Sequence, residues 1–236
     1  MQGKEIYLTL NSWRKFCRFK YQFVVVGEFD DALRKEFPWV MFIPVKLDFN
    51  QADQYGPHLD IQNKINIIRE RLQDRYPGFI YMTDDIYAIK PFSLSDILTV
   101  HYHSSGFTGT QDAPTNFWTH DKWKTRVLLD REGLPHINYT THFPFYFDFK
   151  KLNALWEKYN MLKESYVLED VYFNAVEHEA PVLDSDIRLG VWDHKIYYQD
   201  FEKAVEDHNI KFVCNSVKGW SKELENALMK IIEINA

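Results

Sequence analysis

Phe79-Ile80-Tyr81-Met82-Thr83-Asp84-Asp85-Ile86-Tyr87 is an apolar run that stops at two adjacent carboxylates and then resumes through Ile86 and Ile89 to Lys90-Pro91-Phe92. Pro77-Gly78 bounds it on the other side, so the run reads as a buried strand. Acidic groups at the carboxyl end of such a strand lie where open α/β sheets place their ligand crevices. Like charges this close repel, and a bound divalent cation is a direct way to keep both ionised. Oxygen donors suit Mn²⁺ or Mg²⁺, and those ions suit a diphosphate. The structural alternative is an acidic turn or helix cap in which Thr83 takes part.

Upstream of this stretch, Ile61, Ile65, Ile68 and Leu72 recur at helical spacing and predict a helix over 61–72. Residues 48–58, with Gly56-Pro57, read as a loop. Tyr21 to Gly27 carries a valine run and reads as a buried strand stopped by glycine. Asp30 to Phe37 fits a short helix before Pro38, and Val40 to Val45 a second extended segment interrupted by Pro44. Ile6, Leu10, Trp13 and Phe16 place one more helix over 4–16. Helix and strand alternate, the order expected of an α/β protein with a mixed, mainly parallel sheet flanked by helices.

Downstream the pattern changes. His101 to Asn116 is rich in His, Gly, Ser and Thr and reads as an exposed active-site loop. Lys122 to Glu132 is a helix candidate, and His142 to Asp148 an aromatic extended segment around Pro144. Phe149 to Tyr159 follows as a helix with Leu152, Leu155, Trp156 and Tyr159 facing inward. Leu168 to Val176 is a short helix, Lys211 to Cys214 a late strand, and Ser221 to Ile234 an amphipathic helix with Ser221 as its N-cap. Without repeat, low-complexity tract or linker, the chain reads as one domain over 1–236.

Apolar residues make up 45% of the 236 residues and aromatics 17%, ample for a core and for a ring-lined cleft. A net charge of −6 argues against a non-specific nucleic-acid binder, which needs a basic footprint. Cys17 and Cys214 sit in apolar contexts and read as buried free thiols. No apolar run reaches transmembrane length and no signal pattern opens the chain, so a soluble, cytoplasmic protein is expected.

Two further clusters carry chemistry-bearing residues. His142-Phe143-Pro144-Phe145-Tyr146-Phe147-Asp148 is either a core strand with a hydrogen-bonded histidine or one wall of an acceptor cleft. Glu169-Asp170, in the first turn of a helix, either complements its dipole or supplies a general base. His101, His103 and His120 lack the partner spacing of a zinc site and read as polar loop residues, with His103 a candidate for substrate contact. There is no glycine-rich phosphate loop, Gly-x-Ser-x-Gly elbow or His-Glu zinc-protease pattern.

Taken in order, these segments resemble a nucleotide-sugar glycosyltransferase of the GT-A type. Residues 5–28 resemble the early helix and second strand, and Gln62-Asn63-Lys64-Ile65 onward the helix before the metal motif. FIYMTDDIYAIKPF at 79–92 resembles the strand, the acidic motif and the Lys-Pro segment after it. HFPFYFDFKKL at 142–152 resembles the acceptor-side segment of bacterial capsular and polysaccharide-building members and of Stealth-like sugar-phosphate transferases. Phe212 to Ser216 and the closing helix resemble the family's C-terminal end.

The resemblance implies a nucleotide- and metal-binding half over 1–92 and an acceptor-side half over 93–236. It implies Mn²⁺ or Mg²⁺ bridging a nucleotide-sugar diphosphate to Asp85 and Asp84, with Lys64 also on the donor side. Glu169 or Asp170 matches the place of the catalytic base in inverting members, and His142 and Tyr146 the acceptor side. A glycan or polysaccharide hydroxyl is the implied acceptor. Two departures stand out: Thr83 occupies the place of the usual first acid, and no opening strand precedes the first helix. The alternatives are a Stealth-like transfer of sugar phosphate and a non-catalytic, glycan-binding relative.

Overall fold

The computed structural model describes residues 4–46, 57–103, 117–176, 188–191, 197–207 and 210–233. In chain order the helices are α1 (Lys4–Phe16), α2 (Asp31–Glu36), α3 (Pro57–Leu72), α4 (Leu94–Leu98), α5 (Phe117–Glu132), α6 (Phe149–Tyr159), α7 (Leu168–Ala175), α8 (Tyr197–Glu206) and α9 (Lys222–Glu233). The strands are β1 (Val24–Gly27), β2 (Met41–Pro44), β3 (Gly78–Tyr81), β4 (Ile86–Ala88), β5 (Phe145–Asp148), β6 (Arg188–Val191) and β7 (Phe212–Asn215). The protein is mixed α/β.

The mainly parallel sheet expected from the sequence gives way to three small sheets. β1–β2 and β6–β7 pair parallel, whereas β3–β5 and β4–β7 pair antiparallel. Residues 82–85, which carry the acidic pair, break the apolar run in two. β3 joins β5, and β4 turns away to join β7. Both antiparallel pairings join a strand from 1–92 to a strand from 93–236.

Local chemistry explains the best-formed helices. In α6 the buried Phe149, Leu152, Trp156 and Tyr159 recur at helical spacing. Asp148 caps its start by accepting from Lys151 N at 2.9 Å, and Asn160 ends it in the left-handed region at φ 51°. Ser221 caps α9 by accepting from Leu224 N at 3.1 Å. The start of α3 differs from expectation, since Pro57 and His58 belong to the helix. Proline fits there because its missing N–H falls among the unpaired first-turn groups.

Phe147, Leu152, Trp156, Val171 and Phe173 fill one core cluster, and Trp13, Ile86, Phe92, Phe143 and Phe212 a second. Each fully buried large apolar side chain contributes roughly 1.5–3 kcal/mol. Cys214 is buried, whereas Cys17 is only half-buried, with Sγ 3.6 Å from Phe19 O. No helix among the described residues is long and apolar enough to cross a membrane. Most of the predicted loop over 101–116 lies outside the described residues.

Candidate active site

The acidic turn between β3 and β4 is held by its backbone. Thr9 Oγ1 donates to Asp84 O at 2.6 Å and to Ile86 O at 3.3 Å, and Asn215 N donates to Asp85 O at 3.3 Å. Asn215 is fixed in turn: its Oδ1 accepts from Tyr87 OH at 2.8 Å and its Nδ2 donates to Glu5 Oε1 at 2.9 Å. Asp84 is exposed and Asp85 half-buried. The Thr83 hydroxyl donates to Asp85 Oδ1. Burial pushes the Asp85 carboxyl from 3.8 to about 6; the Thr83 bond opposes that rise, while Asp84 and Glu5 add to it.

Those two carboxylates fit a hard divalent ion. Asp84 and Asp85 offer oxygen donors whose mutual repulsion a cation would relieve. Among the described residues no cluster of three or more His, Cys, Asp or Glu side chains is arranged to hold a metal. Two carboxylates with the remaining positions filled by water and phosphate oxygens is how Mg²⁺ is commonly held.

Tyr81 ends β3 three residues before Asp84. Burial drives its hydroxyl pKa well up, and Glu169, Asp85, Asp84 and Asp60 each push it further. Tyr81 thus shares its electrostatic surroundings with the acidic turn and with Glu169 in the first turn of α7. Its ladder partner is Phe145, so the β5 end reached through His142 lies at the same end of the sheet as the acidic turn. His142 takes φ 47°, an uncommon backbone state that turns the chain into β5.

Glu169 and Asp170 are both buried in the first turn of α7 but differ in their ties. Asp170 is fully buried: Oδ1 accepts from Tyr139 N at 2.6 Å and Oδ2 from Thr140 Oγ1 at 3.2 Å. Burial and the neighbouring Glu169 raise it from 3.8 to about 8 against those bonds. Glu169 keeps 9% exposure, and burial raises its pKa while His58 and Lys122 lower it.

The remaining candidates are spread more widely. Lys64 Nζ pairs with Asp60 Oδ2 at 2.5 Å, and its Cε lies 3.9 Å from where a Cβ on Gly27 would sit, at the end of β1. Tyr146 points its hydroxyl toward Gly78, at the opposite end of β3 from the acidic turn. His103 Nε2 bonds the Thr140 carbonyl at 2.9 Å. His101, expected in an exposed loop, is buried against Phe143, and burial lowers its pKa to about 4. It lines a cavity of about 200 Å³ with Phe143, Phe145, Tyr146, Tyr172 and Phe173, and neither acid of the turn borders it.

The sequence missed one pair at the centre of this region. His58 Nδ1 lies 2.8 Å from Asp121 Oδ2, with side-chain exposures of 3% and 1%. His58 fell at the end of a stretch read as loop, and Asp121 one residue before the predicted helix. Their separation of 63 positions leaves no spacing signature.

No protein-family model and no curated protein matches the chain. Among solved structures it is similar to a glycosyltransferase involved in glycosylation of the major capsid of PBCV-1, at 14% identity and a TM-score of 0.39. That alignment covers 89% of this chain and 100% of the other. A TM-score of this size does not establish a shared fold.

Proposed function

We propose that the protein is a GT-A-like, metal-dependent glycosyltransferase that moves a sugar from a nucleotide-diphosphate donor to a glycan hydroxyl. The observation that carries this reading is the acidic turn, whose backbone is pinned by Thr9 and Asn215 and whose adjacent carboxylates, Asp84 exposed and Asp85 half-buried, supply oxygen donors suited to a cation. Glu169 is a buried carboxylate suited to a proton, and its charge bears on Tyr81 as do those of Asp84 and Asp85.

Asp84 and Asp85 would hold Mn²⁺ or Mg²⁺, which supplies charge neutralisation for the departing diphosphate. Glu169 takes the proton from the acceptor hydroxyl as that oxygen attacks the sugar carbon. The bond from that carbon to the phosphate oxygen breaks, and the nucleoside diphosphate leaves with the electron pair. Burial suits Glu169 to this role, because a carboxyl raised from its ordinary value is a stronger base near neutral pH. Asp170 is spent on the Tyr139 and Thr140 bonds, so it acts as a positioning residue. Lys64, beside the end of β1, would serve the donor side, and His142 the acceptor side.

Product identity tests this reading. Incubation with a panel of nucleotide sugars, Mn²⁺ and glycan acceptors should release nucleoside diphosphate, and Asp85→Ala should abolish the release while leaving the fold intact. Release of nucleoside monophosphate would instead mark sugar-phosphate transfer. Glycan binding without any nucleotide binding would mark a non-catalytic relative.

A further inference from the structure

We propose that the buried His58–Asp121 pair is a positioning device for Glu169, fixing the first turn of α7 from which its carboxylate projects. The proposal deepens the reading of Glu169 as the group that takes the acceptor proton, and it rests on that reading for its meaning in catalysis.

A hydrogen-bond chain joins the pair to α7. His58 Nδ1 donates to Asp121 Oδ2 at 2.8 Å. The Asp121 carbonyl accepts from Thr125 Oγ1 at 2.7 Å, and Thr125 Oγ1 accepts from Val167 N at 2.9 Å. Val167 is the N-cap of α7, two residues before Glu169. One turn along α3 from His58, Gln62 holds the preceding segment: Oε1 accepts from Tyr166 N at 2.9 Å and Nε2 donates to Glu164 O at 3.2 Å. The start of α3 and one face of α5 therefore fix where α7 begins.

Maintaining this arrangement in the interior is costly. A buried ion pair is often no better for stability than apolar packing of the same volume. Its benefit here is geometric. The Glu169 carboxylate is influenced by the charges of His58 on α3 and Lys122 on α5, and its own charge bears on Tyr81 of β3 and Asp170 of α7. Of these, His58 and Lys122 favour the ionised form that burial opposes. Asp121 holds the imidazole in place through the 2.8 Å contact with Nδ1.

A double-mutant cycle read by thermal unfolding tests the coupling without needing any substrate. A raised carboxyl pKa costs stability as pH rises through and above its ordinary value. Glu169→Gln should therefore raise Tm at pH 7.5, by a different amount in a His58→Gln background where the first turn of α7 is no longer held, and leave it unchanged at pH 4 in both. Equal gains in the two backgrounds at pH 7.5 overturn the proposal. If His58→Gln does not fold, the Glu169 carboxyl carbon is followed by NMR in the unaltered chain and in Asp121→Asn. A Glu169 midpoint above its ordinary value that moves in Asp121→Asn is expected, and an unmoved midpoint overturns the proposal. Failure of the unaltered chain to bind nucleotide sinks the transferase reading but leaves this coupling standing, so the two failures are separable.

Discussion

The Thr83 hydroxyl donates to Asp85 Oδ1, so the residue before the acidic pair supports the more buried of its two carboxylates. Burial raises the Asp85 carboxyl to about 6, and this bond holds it below where burial alone would put it. Thr83→Val keeps the volume and removes the donor. In the metal-free protein, Asp85 should then titrate on the order of one pH unit higher. Carbon-detected NMR of the Asp85 carboxyl reads this directly; an unmoved midpoint would show that the hydroxyl contributes nothing.

Asp85 also limits stability. Its folded value lies above its ordinary 3.8, so the folded state holds the extra proton between there and about 6, and stability falls as pH rises through that window. Asp85→Asn removes the ionisation. The variant should match the unaltered chain below pH 3.8 and exceed it by several degrees in Tm above pH 6, while losing any stabilisation by nucleotide and metal. Calorimetry across pH checks both halves. A variant less stable at every pH contradicts the assignment.

For Asp170 the expectation separates shape from charge. Raised to about 8, it is largely protonated at neutral pH, and an amide keeps its acceptor for Tyr139 N and can donate to Thr140. Asp170→Asn should fold with little loss near neutrality and gain above pH 8, where the carboxylate's buried charge is otherwise felt. Asp170→Ala strands a buried N–H and should lose about 1–3 kcal/mol for each unmet group. Urea unfolding of the two variants distinguishes the cases; equal destabilisation argues against a hydrogen-bonding role.

Gly78 marks the close approach that sets β3 against β5. A Cβ there would lie 2.3 Å from Phe147 O and 2.5 Å from the Tyr146 hydroxyl. Gly78→Ala should therefore cost about 1–3 kcal/mol through overpacking and disturb the ladder that places Tyr81 opposite Phe145. A circular-dichroism melt unchanged from the parent would mean that the strand shifts without penalty.

Elements whose signal is local were legible in the sequence. The inward face of α6 follows from Leu152, Trp156 and Tyr159, and the start of α9 from Ser221. Strand partners were not legible, because the apolar run of β3 looks the same whether its neighbour is parallel or, as with β5, antiparallel. β6 and α8 were missed altogether. The acidic turn stood out because two charges interrupt an apolar run. His58 and Asp121 did not, since each is an ordinary polar residue until folding joins them. Asp170 looked like Glu169 because only the tertiary bonds to Tyr139 and Thr140 set the two apart.

The central claim is that Asp84 and Asp85 bind a nucleoside diphosphate through a divalent cation. The most direct measurement is the shift in Tm on adding nucleoside diphosphates with and without Mn²⁺, for the unaltered chain and for Asp85→Asn. At a hundredfold excess over Kd, a ligand specific to the folded state adds about 2.7 kcal/mol. The account predicts such a rise for at least one nucleotide, only with Mn²⁺ and only in the unaltered chain. No rise with any nucleotide, or an equal rise in Asp85→Asn, contradicts it.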